Sequence, residues 1–135
     1  MFYDFAIKVP ANTTEASPLK TTLKLTKGII HRVEVQFPIG TRALAHCRIK
    51  RAGYQVWPTN RGGSFASDGY TIPIDENYEL LHEPMGLIAI CWNDDDTFPH
   101  TIDIRVGLLE NKAAIAMLKL MKGMASLLRL VGIKV

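Results

Sequence analysis

The sequence predicts a mainly β protein: an antiparallel β-sandwich or jelly roll of about nine short strands, followed by a C-terminal α-helix. Three observations carry that expectation. Up to Leu109, apolar and polar residues alternate in short runs, and turn residues break the runs at intervals of about ten. From Glu110 to Val135 the period changes to that of a helix, in a stretch rich in Ala, Leu, Met, Lys and Arg, all good helix formers. The chain has 135 residues, 47% of them hydrophobic, which suffices for one domain with a real core. Short strands spaced by turn signals are the pattern of sandwiches and jelly rolls, with a closed up-and-down barrel as the rival. The expected division is a β-sandwich at 1–109 and a basic amphipathic helix at 110–135.

The elements follow in order. Met1–Val9 sets Tyr3, Phe5, Ile7 and Val9 against Asp4, Ala6 and Lys8, a half-buried strand that Pro10 ends. Residues 11–18 form a polar loop. Leu19–Thr26 alternates Leu19, Thr21, Leu23 and Leu25 with Lys20, Thr22, Lys24 and Thr26, and Lys27-Gly28 is a turn. Ile29–Phe37 carries Ile29, His31, Val33, Val35 and Phe37 on one face, which places His31 among core residues. Leu44–Arg51 offers Ala45, Cys47 and Ile49 to the core, and Ala52-Gly53 turns it into Tyr54–Trp57. Residues 58–69 are irregular. Tyr70, Ile72 and Ile74 mark an edge or bent strand, because Pro73 has no N–H for a neighbour. Asn77–Glu83 is expected as a separate short strand, ended by Pro84. Leu87–Asn93 is strongly apolar and central, Asp94-Asp95-Asp96 turns, and Thr101–Leu108 points Ile102, Ile104, Val106 and Leu108 inward.

In the terminal helix, Lys112, Lys119, Lys122, Ser126 and Arg129 fall on one narrow face. The remaining arc is apolar and much wider than a surface helix needs, so it asks for cover. The first reading is that Ile115, Leu118, Met121, Met124, Leu127, Leu128 and Val131 form oligomer contacts with copies of the chain. A second is a membrane interface, with the basic residues snorkelling from an apolar body. A third is a core helix packed on its own sandwich. A membrane span is disfavoured, since Lys119, Lys122 and Arg129 interrupt the roughly 20 apolar residues it requires.

Charge is unevenly placed. The chain holds 16 cations and 13 acids, but five cations and no acid follow Glu110. The first 111 residues therefore carry 11 cations against 13 acids, net −2, and the basic balance belongs to the tail. A uniformly basic nucleic-acid binder would look different, so nucleic acid is expected only through the tail. Met1-Phe2-Tyr3-Asp4 lacks the basic start and apolar run of a signal peptide, which points to a cytoplasm or a particle assembled there. Cys47 and Cys91 are then expected as small buried hydrophobes without a disulfide.

The polar motifs are weak by spacing. Asp94, Asp95 and Asp96 could supply oxygens to a hard cation, but lack the EF-hand pattern and read first as a solvated turn. His31, His46, His82 and His100 are scattered and lack zinc-site spacing. Ser64, Ser67 and Ser126 have no nucleophile-elbow context, and Arg61-Gly62-Gly63-Ser64 lacks the Walker lysine. Arg48, Lys50 and Arg51 with Tyr54 and Trp57 form a basic–aromatic hairpin, of a kind that binds single strands or sugars but more often is an outer strand face. No catalytic residue and no cofactor is assigned, and the protein is expected not to be an enzyme.

Residues 2–109, with the stretches VWPTNRGGSFASDGYTI and WNDDDTFPHTIDIRVGLL, resemble small jelly-roll or β-sandwich structural proteins of bacteriophage virions, such as capsid decoration and auxiliary proteins. The resemblance implies a non-enzymatic virion component whose partners are its own copies and other virion proteins. The apolar basic tail departs from a simple decoration protein. A membrane-associating protein and a carbohydrate- or calcium-binding module are the alternatives.

Overall fold

The computed structural model describes residues 1–110 and 112–132. Asn111 and Ile133 to Val135, including the tail cation Lys134, lie outside the described residues. Eight strands precede one helix: β1 (Phe2–Val9), β2 (Leu19–Leu23), β3 (Gly28–Phe37), β4 (Ala45–Arg51), β5 (Tyr54–Trp57), β6 (Tyr70–Leu80), β7 (Leu87–Asn93), β8 (His100–Leu109) and α1 (Lys112–Leu130). They form two antiparallel four-stranded sheets, ordered β1-β8-β3-β6 and β2-β7-β4-β5. The pairs are nested: β1 with β8, β2 with β7, β3 with β6 and β4 with β5. A strand hairpin folded over on itself in this way is a jelly roll.

The core lies between the sheets. Val33, Val35 and Phe37 of β3 meet Ile102, Ile104, Val106 and Leu108 of β8 from one side. Ala45, Cys47 and Ile49 of β4 and Leu87, Ala89 and Cys91 of β7 close it from the other. These are the inward rows that the alternation in β4 and β8 predicts. Cys47 and Cys91 stand opposite each other in register as free, buried thiols. Cys91 beside it, together with burial, holds the Cys47 thiol well above its ordinary range.

The strand count is eight because two expected strands are one. β6 runs unbroken through Asp75-Glu76-Asn77. The turn-forming residues stay extended because Arg32 holds Asp75 at 2.8 Å and Trp57 Nε1 donates to Glu76 at 3.2 Å. A local irregularity absorbs the misfit: between Tyr78 and Asp75, three steps on β6 oppose the two from Ile30 to Arg32. Pro73 lies on an edge strand, as expected.

Two further expectations are corrected. Gly28 opens β3 and is not a turn residue; a Cβ there would meet the Leu109 carbonyl oxygen at 2.5 Å. His31 is not on the core face. β3 bulges against β8 between Ile30 and Arg32, so Ile30 enters the core and His31 turns out. There its ring meets Phe2 edge-on at 6.3 Å and lies over Gly107, where a Cβ would come within 2.8 Å.

Candidate functional site

The terminal helix forms over Lys112–Leu130. Glu110 precedes it and accepts a hydrogen bond from the Thr26 hydroxyl, and Lys122 is ion-paired with Glu79 of β6. A cleft of about 470 Å³ opens at its root, lined by Thr26, Lys27, Ile115 and Lys119 among others. Lys112 also lines it. Three of the four cations on the basic face are thus turned towards the sandwich, whose own net charge is negative. Arg129 lies in the last turn.

Of the expected contact residues, Ile115, Leu118 and Leu128 are half-buried, while Met121, Met124, Leu127 and Val131 are exposed. Met117 and Leu120 are exposed with them. The half-buried positions are all apolar, Ile115, Leu118, Ala125 and Leu128, and Leu128 lies on the helix between the exposed Met117 and Met121. Lys112, Lys119 and Lys122, at the cleft and on Glu79, fall on the basic side, and the exposed Met117, Leu120, Met124, Leu127 and Val131 fall on the side opposite to it. No helix among the described residues is long and apolar enough to cross a membrane.

The three aspartates do not converge. Asp95 is buried and accepts from the N–H groups of Thr97 at 2.9 Å and Phe98 at 3.2 Å, and from His100 Nε2 at 2.8 Å. Those donors, the Thr97 N–H first, hold its carboxyl below the usual carboxylate range against the opposing effect of burial. Asp94 reaches His46 at 3.3 Å, and Asp96 accepts from the Thr97 hydroxyl at 2.8 Å. Among the described residues no three His, Cys, Asp or Glu side chains gather at a metal-binding distance.

Sequence reasoning left Ser64 without context, yet the fold places it on a histidine. His46 Nδ1 is 3.2 Å from Ser64 Oγ, and Nε2 is 3.3 Å from Asp94. The imidazole stacks on Trp92 with centroids 5.0 Å apart, and Arg48 lies 4.6 Å from the centre of the same indole. A serine hydrolase needs free N–H donors beside its nucleophile for the oxyanion. Here the neighbouring N–H of Gly63 is given to Asn60 O at 2.9 Å and that of Phe65 to Cys47 O at 2.8 Å. The trio ties the 58–69 loop and the Asp94 turn to β4. Nothing in the chain order of Ser64, His46 and Asp94 signals this meeting, which is made by the sheet.

The basic–aromatic hairpin divides. Arg51 turns to the 78–84 segment, donating to the carbonyls of Glu79 at 3.2 Å and Pro84 at 3.0 Å. Trp57 is buried in the core. Arg48, Lys50 and Tyr54 remain on the outside of the second sheet, and Arg61 joins them from the loop. Gln55 fixes that loop: its amide donates to the carbonyls of Pro58, Asn60 and Gly63, and its oxygen accepts from Gly62 N–H. Compared with protein-family models and with curated proteins, the chain has no match, and its function is carried by its own geometry.

Proposed function

We propose that this protein is a non-enzymatic structural subunit of a virion, of the bacteriophage kind its sequence resembles, assembled in the host cytoplasm through self-association of α1. The jelly-roll body supports the reading, since viral capsid domains use this architecture, as do lectins and cupins. So widely used a fold does not choose a function. The observation that supports the assembly reading most is the outward face of the helix. Met117, Leu120, Met124, Leu127 and Val131 recur at alternating steps of three and four, the spacing of a coiled-coil seam, and each is 55–66% exposed. A contiguous apolar face of this kind marks an interaction site.

Pairing two such helices removes both seams from water. At about 1.5–3 kcal/mol for each fully buried side chain, scaled to the surface the ten seam residues still expose, the gain is about 9–18 kcal/mol, comparable to or above an association cost of about 4–15 kcal/mol. An anionic bilayer is the rival occupant. It would draw the cations to the lipid, whereas Lys122 is held on Glu79 and Lys112 and Lys119 line the cleft against the body. Self-association fits this division of charge better.

Light scattering on a sizing column tests the proposal. The full-length chain is expected to run as a discrete oligomer, and the double variant Leu120→Asp, Leu127→Asp as a folded monomer. A wild-type monomer at tens of micromolar, or a variant that keeps the oligomer mass, would overturn it.

A further inference from the structure

The β4–β5 hairpin and the loop beside it enclose a cleft of about 390 Å³ whose walls include Arg48, Lys50, Tyr54, Gln55 and Arg61. Three lining side chains are cations and none is an acid. Among the described residues, Lys50 and Arg61 have no carboxylate at ion-pair distance. Arg48 reaches Glu15 at 2.8 Å and the Gly62 carbonyl at 3.4 Å, yet its Nε is a buried donor that no described acceptor meets. Unmet buried donors are uncommon in folded proteins. This positive cleft belongs to a body that is otherwise net negative, so the concentration of charge is local.

Two more features give the cleft its chemistry. Tyr54 stands at the cleft with 71% of its surface exposed, a ring face available for stacking. The loop that brings Arg61 is held by the four hydrogen bonds of Gln55, so the cation is carried on an anchored segment. Cations along a groove with an aromatic platform beside them are the means by which proteins hold a nucleotide unit, phosphate on the cations and base on the ring. A neutral sugar would leave the charges of Lys50 and Arg61 unanswered.

We infer that this cleft binds the phosphate of a nucleotide unit, with Lys50 and Arg61 on the phosphate oxygens and Tyr54 stacked on the attached base. The site is separate from α1, and its failure would leave the assembly reading untouched. The unit can come from a single-stranded nucleic acid or from a free nucleotide, and two probes separate these sources. The full-length chain is titrated into a fluorescent oligothymidylate of roughly 12 nucleotides, followed by polarisation, and thymidine monophosphate is titrated into the chain by calorimetry.

The oligonucleotide is expected to bind, losing about 7- to 18-fold in affinity from about 50 to about 200 mM salt, the slope for two or three contacts on a single strand. Lys50→Glu with Arg61→Glu is expected to weaken it about tenfold or more, and Tyr54→Ala about fivefold or more. The tail variant Lys119→Glu, Arg129→Glu is expected to leave affinity unchanged. Binding of the oligonucleotide alone assigns the phosphate to a polymer, and binding of both probes assigns it to a free nucleotide. Binding of neither probe, or binding that survives the cleft reversal and is lost in the tail variant, overturns the inference. Should the double variant fail to fold, Tyr54→Ala, a change at an exposed position, carries the test.

Discussion

Asp95 shows how one side chain can hold a turn that its neighbours only decorate. Its carboxylate gathers Thr97, Phe98 and His100, while Asn93, fully buried, passes its amide N–H groups to the Val9 and Phe98 carbonyls and accepts from the Asp95 N–H. The carboxyl titrates lower in the folded protein than in the unfolded chain. Its contribution to stability is therefore complete above the unfolded value of about 4 and is lost as pH falls through the lower folded value. Asp95→Asn is expected to lower the melting temperature at pH 6 and to lower it less at pH 3. Equal gaps at both pH values would show that charge is not what matters there. The sequence presents three identical aspartates, and their differing roles are set by contacts such as His46 of β4 on Asp94 and His100 of β8 on Asp95 that spacing does not reveal. The same holds for Ser64 and His46, 18 residues apart and joined only across the sheet.

Among the elements, the β4–β5 hairpin carries a visible local cost. Ala52 and Gly53 have φ of 50° and 86°, both left-handed, as a two-residue type I′ turn requires. Glycine tolerates this and alanine does not. Ala52→Asn is expected to stabilise the protein by about 1 kcal/mol, raising the thermal midpoint by a few degrees; no rise would mean that the strands impose the turn whatever its residues. Elements with strict alternation, such as β1, β4 and β8, were legible because each inward residue repeats at every second position. β3 was legible only beyond its bulge: Val33, Val35 and Phe37 keep the expected inward face, whereas the register shift between Ile30 and Arg32 exchanges the faces before it and leaves no mark in the composition. The break expected between Ile74 and Asn77 does not form, because partners from β3 and β5 hold Asp75 and Glu76 in the strand. In α1 the wide apolar arc was plain in the sequence, whereas the side turned to the body depended on where β6 placed Glu79.

On the scale of the whole molecule, helix and sandwich have separate claims to stability. The sandwich has its own core, while α1 has 19 residues and, among the described residues, no extended packing on any strand. In proteins most of the stability of a helix comes from packing of its apolar face rather than from propensity. Diluting the protein through its dissociation range is therefore expected to reduce the helical circular dichroism signal while near-ultraviolet bands of the core tryptophans stay constant. A helical signal that does not change with concentration would show that α1 needs no partner. The antiparallel sandwich and the C-terminal helix were both in the sequence. The nesting of the strands was not, because alternation says which face is buried and nothing about which strand lies beside which.

That nesting has a temporal consequence. β8, the last strand made, lies in the middle of its sheet between β1 and β3, and Met1 exchanges hydrogen bonds with Leu108. On a ribosome the first sheet is an open gap until residue 109 has emerged, and closing it joins the two ends of the body across nearly the whole chain, a slow and non-local event. α1 is translated after that strand, so the face proposed above for self-association emerges behind the strand that closes the sheet.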